Sequence, residues 1–280
     1  MSVVINTNYA AVLARKNLDE VQRQMDKSVE RLSSGRRINN ASDDAAGSAI
    51  AGRMESQIRG LTMGIRHAKD GQSLVGTSEG AMQELNKILQ RMRELAVQSA
   101  SGVASSSDRD YLDLEMTQLF SEINSISNNT KFNDQRILTG ATFTFYTDAD
   151  VAGTAITTVA ASASAQNLLV SVTSVDISSV TSNTSTTGVQ AVITQIDSAL
   201  SVVDARRAAL GAVSNRFDHI IDNLQNVVMN TVQSQSRIVD ADFSVETTNL
   251  TRNTVLQQAA TSMLAQANAQ KNSILALIQQ

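Results

Sequence analysis

The chain is 280 residues long, carries a net charge of −4 and is 42% hydrophobic, enough apolar material for one or two packed domains. It holds no proline, where average usage of about 5% would give roughly fourteen, and no cysteine or tryptophan, so long helices run uninterrupted and disulfide or zinc–thiolate frameworks are excluded. Lys and Arg are interleaved with carboxylates, which argues against a nucleic-acid partner, and apolar runs such as AAVLA and ILALI fall far short of the roughly 20 residues of a membrane span.

From the N-terminus, Leu18, Val21, Met25, Ser28 and Leu32 recur at alternating spacings of three and four, the seam of a coiled coil. RRINNASDDAAG breaks the pattern: Asn39 and Asn40 are suited to ending one helix and Ser42 or Asp43 to capping the next, so a hinge is expected. Capping explains Asp43 and Asp44 more simply than a metal site does. The seam resumes at Met54, Ile58, Leu61, Ile65 and Ala68, and continues at Met82, Leu85, Leu89, Met92 and Ala96. Gly60, Gly64, Gly71, Gly76 and Gly80 sit inside this helical pattern at a cost of about 1 kcal/mol each against alanine. Either the helix kinks locally or something packs very close to it.

SASGVASSSDRDYL then turns the chain back, with Ser107 or Asp108 starting a helix whose seam is Leu112, Met116, Leu119, Ile123 and Ile126. Between roughly 130 and 188 the period falls to two, as in TFTFYT and LLVSVTSVDIS, with FNDQRILTG supplying turn residues. This stretch is rich in Ser, Thr and Ala, poor in charge, and reads as an exposed, strand-rich insert. Helical spacing returns at Leu210, Val213, Phe217, Ile220, Leu224 and Val227, and again at Leu256, Ala260, Met263, Ala267, Gln270, Ile274 and Leu277. From Asn253 onward the only charged side chain is Lys271. A solvated helix would carry about a quarter charged residues, so both faces of this one are expected to be covered. Burying one stripe does not offset the entropy of ordering both chain ends, which points to folding coupled to assembly.

Catalytic chemistry is scarce. His67 and His219 stand far apart and outside any H-E-x-x-H frame, the glycines make no phosphate loop, and no Ser, His and Asp set stands out. The sequence indicates no enzyme, no cofactor and no metal.

The stretches INTNYAAVLARKNL, ERLSSGRRINNASDDAAGSAI, QRMRELAVQSASG, RIVDADFSVETTNLTRNTVLQQAATSMLAQAN and ILALIQQ resemble bacterial flagellin, over nearly everything outside 141–188. The resemblance implies a mainly α fold: a long antiparallel coiled coil and helical bundle built from both chain ends, with a small β-rich central insert. In that family 1–40 pairs with 242–280 to line the inner tube of the filament, 41–140 joins 189–241 in a helical middle domain, and 141–188 projects outward. The implied function is an extracellular, self-assembling structural subunit for swimming motility. The seam Leu18, Val21, Met25 and Leu32 would meet Leu256, Met263, Ile274 and Leu277 in the polymer.

The implied partners are other copies of the chain, the flagellar type III export apparatus, a cytoplasmic chaperone, and the filament cap and junction proteins. The N-terminal residues form no apolar h-region, so export without signal cleavage is expected. LQRMRELAVQSA matches the stretch gripped by Toll-like receptor 5 in receptor-active flagellins, which places Arg91, Leu95 and Gln98 at contact positions with Glu115 on the facing helix. Helical spacing puts 91, 95 and 98 on one face, with Leu89, Met92 and Ala96 turned to the core. Two alternatives share parts of the pattern: a hook–filament junction protein, and a non-flagellar coiled-coil scaffold or secretion needle-tip protein.

Overall fold

Capping residues and seams divide the chain into helices much as their spacing requires. A computed structural model describes residues 7–138, 142–147, 155–158 and 186–278, with the backbone alone at 155–158, 186–188 and 271–278. The order is α1 (Tyr9–Ser34), α2 (Ala45–Ser99), α3 (Ser106–Asn129), β1 (Lys131–Phe132), β2 (Gln135–Arg136), β3 (Phe143–Tyr146), β4 (Ala155–Thr158), α4 (Thr186–Val239) and α5 (Phe243–Ile278). The segment LLVSVTSVDIS and most of the serine and threonine insert lie outside the described residues.

Two compact units result. A terminal unit takes Met1–Ser56 and Asn230–Gln280, and a middle unit takes Gln57–Met229. The terminal unit therefore extends beyond the 1–40 and 242–280 expected for it, because the start of α2 and the end of α4 are tied together inside it. The Gln235 amide donates to the Ala51 carbonyl at 3.2 Å.

The core belongs to the middle unit. Met82, Leu85, Leu89 and Met92 from α2, Met116 and Ile123 from α3, Ile137 and Leu138 after the first hairpin, and Val192, Ile196, Val203 and Phe217 from α4 are all sealed from solvent. These are the 3,4-spaced positions on α2 and α3, so there the apolar period alone selected the inward face. The chain enters α3 through a capping box in which Ser105 and Asp108 satisfy each other's amide; Ser105, rather than Ser107 or Asp108, is the cap. It leaves through a hairpin whose two turn residues, Asn133 and Asp134, have φ of 49° and 63°, as a two-residue turn between twisted strands demands. β3 pairs antiparallel with β4.

Two of the helical glycines in the middle unit mark close approaches. A Cβ on Gly64 would stand 2.5 Å from the Thr147 carbonyl oxygen, just past the end of β3, and one on Gly71 would stand 2.6 Å from the Phe217 ring. Phe217 is fully buried and meets Phe145 of β3 edge to face at 6.0 Å between centroids. Gly76 and Gly80 face open space.

A polar ladder runs along α2 and α4 beside this core. Gln72 donates to Asp218 at 2.7 Å, Asn86 to Asp204 at 2.9 Å and Arg93 to Asp197 at 2.7 Å. The rungs on α2 fall at multiples of seven residues, those on α4 at the same intervals in reverse. That spacing puts Gly211 opposite Glu79, whose carboxylate reaches along to Arg207 at 3.8 Å.

The glycines give opposite predictions. Gly71→Ala should destabilise the middle unit by about 1–3 kcal/mol, because the Phe217 ring is packed on every side. Gly80→Ala should gain up to about 1 kcal/mol from helix propensity with nothing to collide with. Thermal melts of the two variants should move to opposite sides of the wild type; a rise for Gly71→Ala would show that the ring is free to shift.

Candidate functional site

In the terminal unit α1 lies antiparallel to α5, and polar rungs fix the register. Arg31 donates to Glu246 at 2.8 Å, Gln257 donates to Gln22 at 2.6 Å, and Asn8 donates to the Ala267 carbonyl at 3.2 Å. Glu246, Asn253 and Ser28 are buried, an unusual set for the inside of a helix pair. On α1 the expected seam faces inward, with Leu18, Val21, Met25 and Leu32 all half-buried. On α5 it does not. Leu256 is 45% and Met263 65% exposed, and the half-buried positions are Asn249, Leu250, Thr254, Gln257, Ala260, Leu264 and Ala267. The reason is that α5 carries apolar residues around much of its circumference, so the period alone does not choose a face; Glu246 and Gln257, meeting Arg31 and Gln22, choose it. The side chains of Ile274 and Leu277 lie outside those described.

Among the side chains the pair leaves uncovered are several apolar ones. Tyr9, Val12, Leu13 and Val29 on α1 are exposed, as are Phe243, Val245 and Val255 on α5. Ile38 and Ala51 are the buried hydrophobics of this unit among the described residues, and neither belongs to α1 or α5. The hydroxyls of α5 are meanwhile occupied by its own backbone: Thr247, Thr248, Thr251 and Thr254 each donate to the carbonyl four residues earlier, at 2.7–2.9 Å. A face whose polar groups are already bonded loses little when water is removed from it.

The linker between α1 and α2 departs from its expected capping. α1 ends at Gly35, which takes the left-handed conformation at φ 69°, and not at Asn39 or Asn40. The Asp44 carboxylate accepts from the Gly47 amide at 2.8 Å and caps α2, the role expected of Ser42 or Asp43; Ser42 is exposed. Asp43 holds the turn instead. One of its oxygens accepts from the Asn39 and Asn40 amides at 3.3 and 3.1 Å, and the other meets the Lys27 ammonium at 2.7 Å. Lys27 first, then the Asn40 amide, lower its pKa from 3.8 to about 2. The linker is stitched to the end of α4 as well, through Arg37 N–H to the Val239 carbonyl at 2.6 Å and Ala241 N–H to the Gly35 carbonyl at 3.0 Å.

In the middle unit Arg91 grips Glu115 through Nε and Nη2 at 3.0 and 2.9 Å, and Glu94 through Nη1 at 3.1 Å. Both carboxylates hold the guanidinium charged, Glu115 foremost. Arg91, Gln98 and Glu115 are solvent-accessible. Leu95 is not the exposed knob expected beside them: it is 1% exposed and lines a recess with Met116 and Val192. Position 95 lies at the flank of the face formed by 92 and 96, and the helix opposite covers that flank. Sequence reasoning passed over four other exposed apolar side chains here, Val97, Val103, Tyr111 and Leu114. Their signal was an apolar residue standing off the 3,4 seam.

The comparisons with known proteins agree with one another. A family model described as the bacterial flagellin N-terminal helical region matches residues 5–142, and one described as the bacterial flagellin C-terminal helical region matches 193–278. Flagellin from Halalkalibacterium halodurans is 40% identical across 99% of this chain and 100% of its own. Flagellin E from Vibrio cholerae serotype O1 is 33% identical across 99% of this chain and 100% of its own. Among solved structures, a chain assigned as a flagellar hook-associated protein from Vibrio parahaemolyticus superposes with a TM-score of 0.62 over 71% of this chain and 100% of its own, at 14% identity, a likeness of fold alone.

Acid should loosen the linker. The folded pKa of Asp43 is depressed, so its contribution is complete above the ordinary value of 3.8 and disappears as pH falls through about 2. An NMR titration of the Asp43 carboxyl should show a midpoint near 2 that moves up in Lys27→Met; a midpoint at the ordinary value in the wild type would contradict the turn described.

Proposed function

Since the chain belongs to the bacterial flagellin family, whose members build the extracellular flagellar filament, we propose that its terminal helices pair only loosely in the free subunit and complete their packing against neighbouring copies as the filament grows. It is a structural filament subunit and not an enzyme. The observation that carries the proposal is the exposed apolar surface on both sides of the α1 and α5 pair, combined with the lack of a buried hydrophobic side chain between them among the described residues. A two-helix pair with one half-buried stripe is marginal in water. The same pair surrounded by copies gains a second covered face on each helix, and the backbone-bonded threonines of α5 make that covering inexpensive.

The finer assignments follow the same reading. Residues 1–40 and 242–280 line the inner tube, 41–140 and 189–241 form the outer one, and 141–188 faces outward. A chain whose ends are weakly folded, and which has neither proline isomers nor crosslinks to stall it, suits passage as an unfolded thread through the flagellar export apparatus. A cytoplasmic chaperone then covers the apolar face of α5 before export, and cap and junction proteins meet the ends of the growing polymer. The Arg91, Gln98 and Glu115 face, with the nearby apolar side chains Val97, Tyr111 and Leu114, serves contact between subunits first and host Toll-like receptor 5 in shed monomer. Leu95 supports it from beneath.

Limited proteolysis tests the central claim. In the monomer, cuts within 1–56 and 230–280 should precede any within 57–229, and both ends should become resistant in the filament; termini that resist protease in the monomer would refute coupled folding. For the receptor, monomer should activate a reporter cell where intact filament does not, and Arg91→Ala should weaken activation by roughly tenfold. Unchanged activity in that variant would remove the receptor reading and leave the filament assignment standing.

A further inference from the structure

Methionine sulfur is the softest oxidisable group in a chain without cysteine, and its exposure varies widely here, with Met25 and Met54 half-buried. Met82, Met92 and Met116 are sealed in the middle unit at 0%, 1% and 5% exposure, whereas Met63, Met229 and Met263 stand at 42%, 67% and 65%. Among these three, Met263 alone lies on α5. Its helical neighbours at i−4, i−3 and i+4 are Ala259, Ala260 and Ala267, and Leu256 lies two turns before it on the same side. The thioether, with Gln266 at i+3, therefore stands beside three alanine methyl groups, exposed at the edge of the half-buried stripe to which Ala260 and Ala267 belong.

We propose that Met263 is an oxidation site, and that its conversion to the sulfoxide prevents the free subunit from joining a filament. The oxidant is a peroxide: hydrogen peroxide transfers one oxygen atom to Sδ, the O–O bond breaks and water leaves, so that the thioether loses two electrons and the peroxide gains them. The product carries a strongly polar S–O group in the middle of an apolar patch. In water the change costs nothing. Against the apolar surface of a neighbouring copy, the same oxygen must be stripped of water with alanine methyl groups at most of the positions around it, and a polar atom buried in that way is unfavourable. The buried methionines of the middle unit are protected by packing, so the fold of the monomer survives a dose that modifies Met263. Incorporation protects Met263 in its turn, because the neighbour excludes the oxidant. A methionine sulfoxide reductase, which returns the sulfoxide to the thioether, reverses the block. The proposal rests on the reading that neighbouring copies cover the outer face of α5.

The experiment uses the full chain and seeded filament elongation. Monomer is treated with hydrogen peroxide until peptide mass mapping shows Met263 as the sulfoxide with Met82, Met92 and Met116 intact, and each protein is referred to its own untreated elongation rate. Oxidised wild type should elongate about tenfold more slowly, while Met263→Leu, treated alike and still carrying Met63 and Met229, should keep its untreated rate. Filaments exposed to the same dose should show at least roughly tenfold less sulfoxide at Met263 than monomer does. If oxidised wild type elongates at its untreated rate, or Met263→Leu slows as much as wild type, the proposal is overturned. Met263→Gln, untreated, separates the two layers of the argument. Should it elongate like wild type, the outer face of α5 is not covered and the packing proposal itself fails; should it be slow while oxidised wild type is not, only the oxidation proposal fails.

Discussion

A helix covers only the stripe that it turns toward a partner, and in the free chain α1 and α5 have little but each other. From that constraint follows the character of the terminal unit. Its seam is half-buried and not sealed, its interior holds Glu246, Asn253 and Ser28, and its outer faces carry Tyr9, Val12, Phe243 and Met263. In a protein that ended as a monomer this distribution would invite aggregation. In a filament subunit it is a half-built core, and the other half arrives with each added copy.

The middle unit is built on the opposite principle. Three helices and two strand pairs close on one another, and Phe217 fits the gap left by the missing side chain of Gly71 so closely that one methyl group would not fit without a shift. This unit buries its own core without a neighbour, as the proposed coupling of terminal folding to assembly requires. Its exposed features, the Arg91 and Glu115 pair and the apolar side chains around it, are positioned by a rigid scaffold, and a solvent-exposed ion pair contributes geometry there more than stability.

How much of this could be read from the sequence depends on how one-sided each helix is. Met82, Leu85, Leu89 and Met92 gave an unambiguous face because polar residues separate them, and the structure buries all four. α5 could not be read in the same way: Leu256, Ala260, Met263 and Ala267 make a plausible seam, but so do Leu250, Ala260, Leu264 and Ala267, and the decision rests with Arg31 and Gln22 on a helix more than two hundred residues away. The linker was legible as a break and illegible in detail, since NNASDD offers five residues suited to capping or turning and only the path of the backbone assigns Asp44 to the cap and Asp43 to the turn. Leu95 was misplaced for a related reason. Spacing along one helix shows which residues share a face, and not how wide a face its neighbours cover.

The ladder between α2 and α4 contains one rung, Glu79, whose register partner is a glycine and whose carboxylate reaches along to Arg207 instead, and that offset has a consequence of its own. Coiled helices with a heptad repeat are prone to sliding by seven residues, and Arg93 would find a carboxylate at Asp204 after such a slide as readily as it finds Asp197. Attraction alone would therefore tolerate the error. Glu79 does not tolerate it. In the native register it faces Gly211, where there is no side chain to oppose it; slid one repeat in either direction, it would face Asp218 or Asp204. The ladder works as a key in which the uncut position matters as much as the cuts: a carboxylate whose register partner is a glycine would meet another carboxylate after a slide of one repeat in either direction.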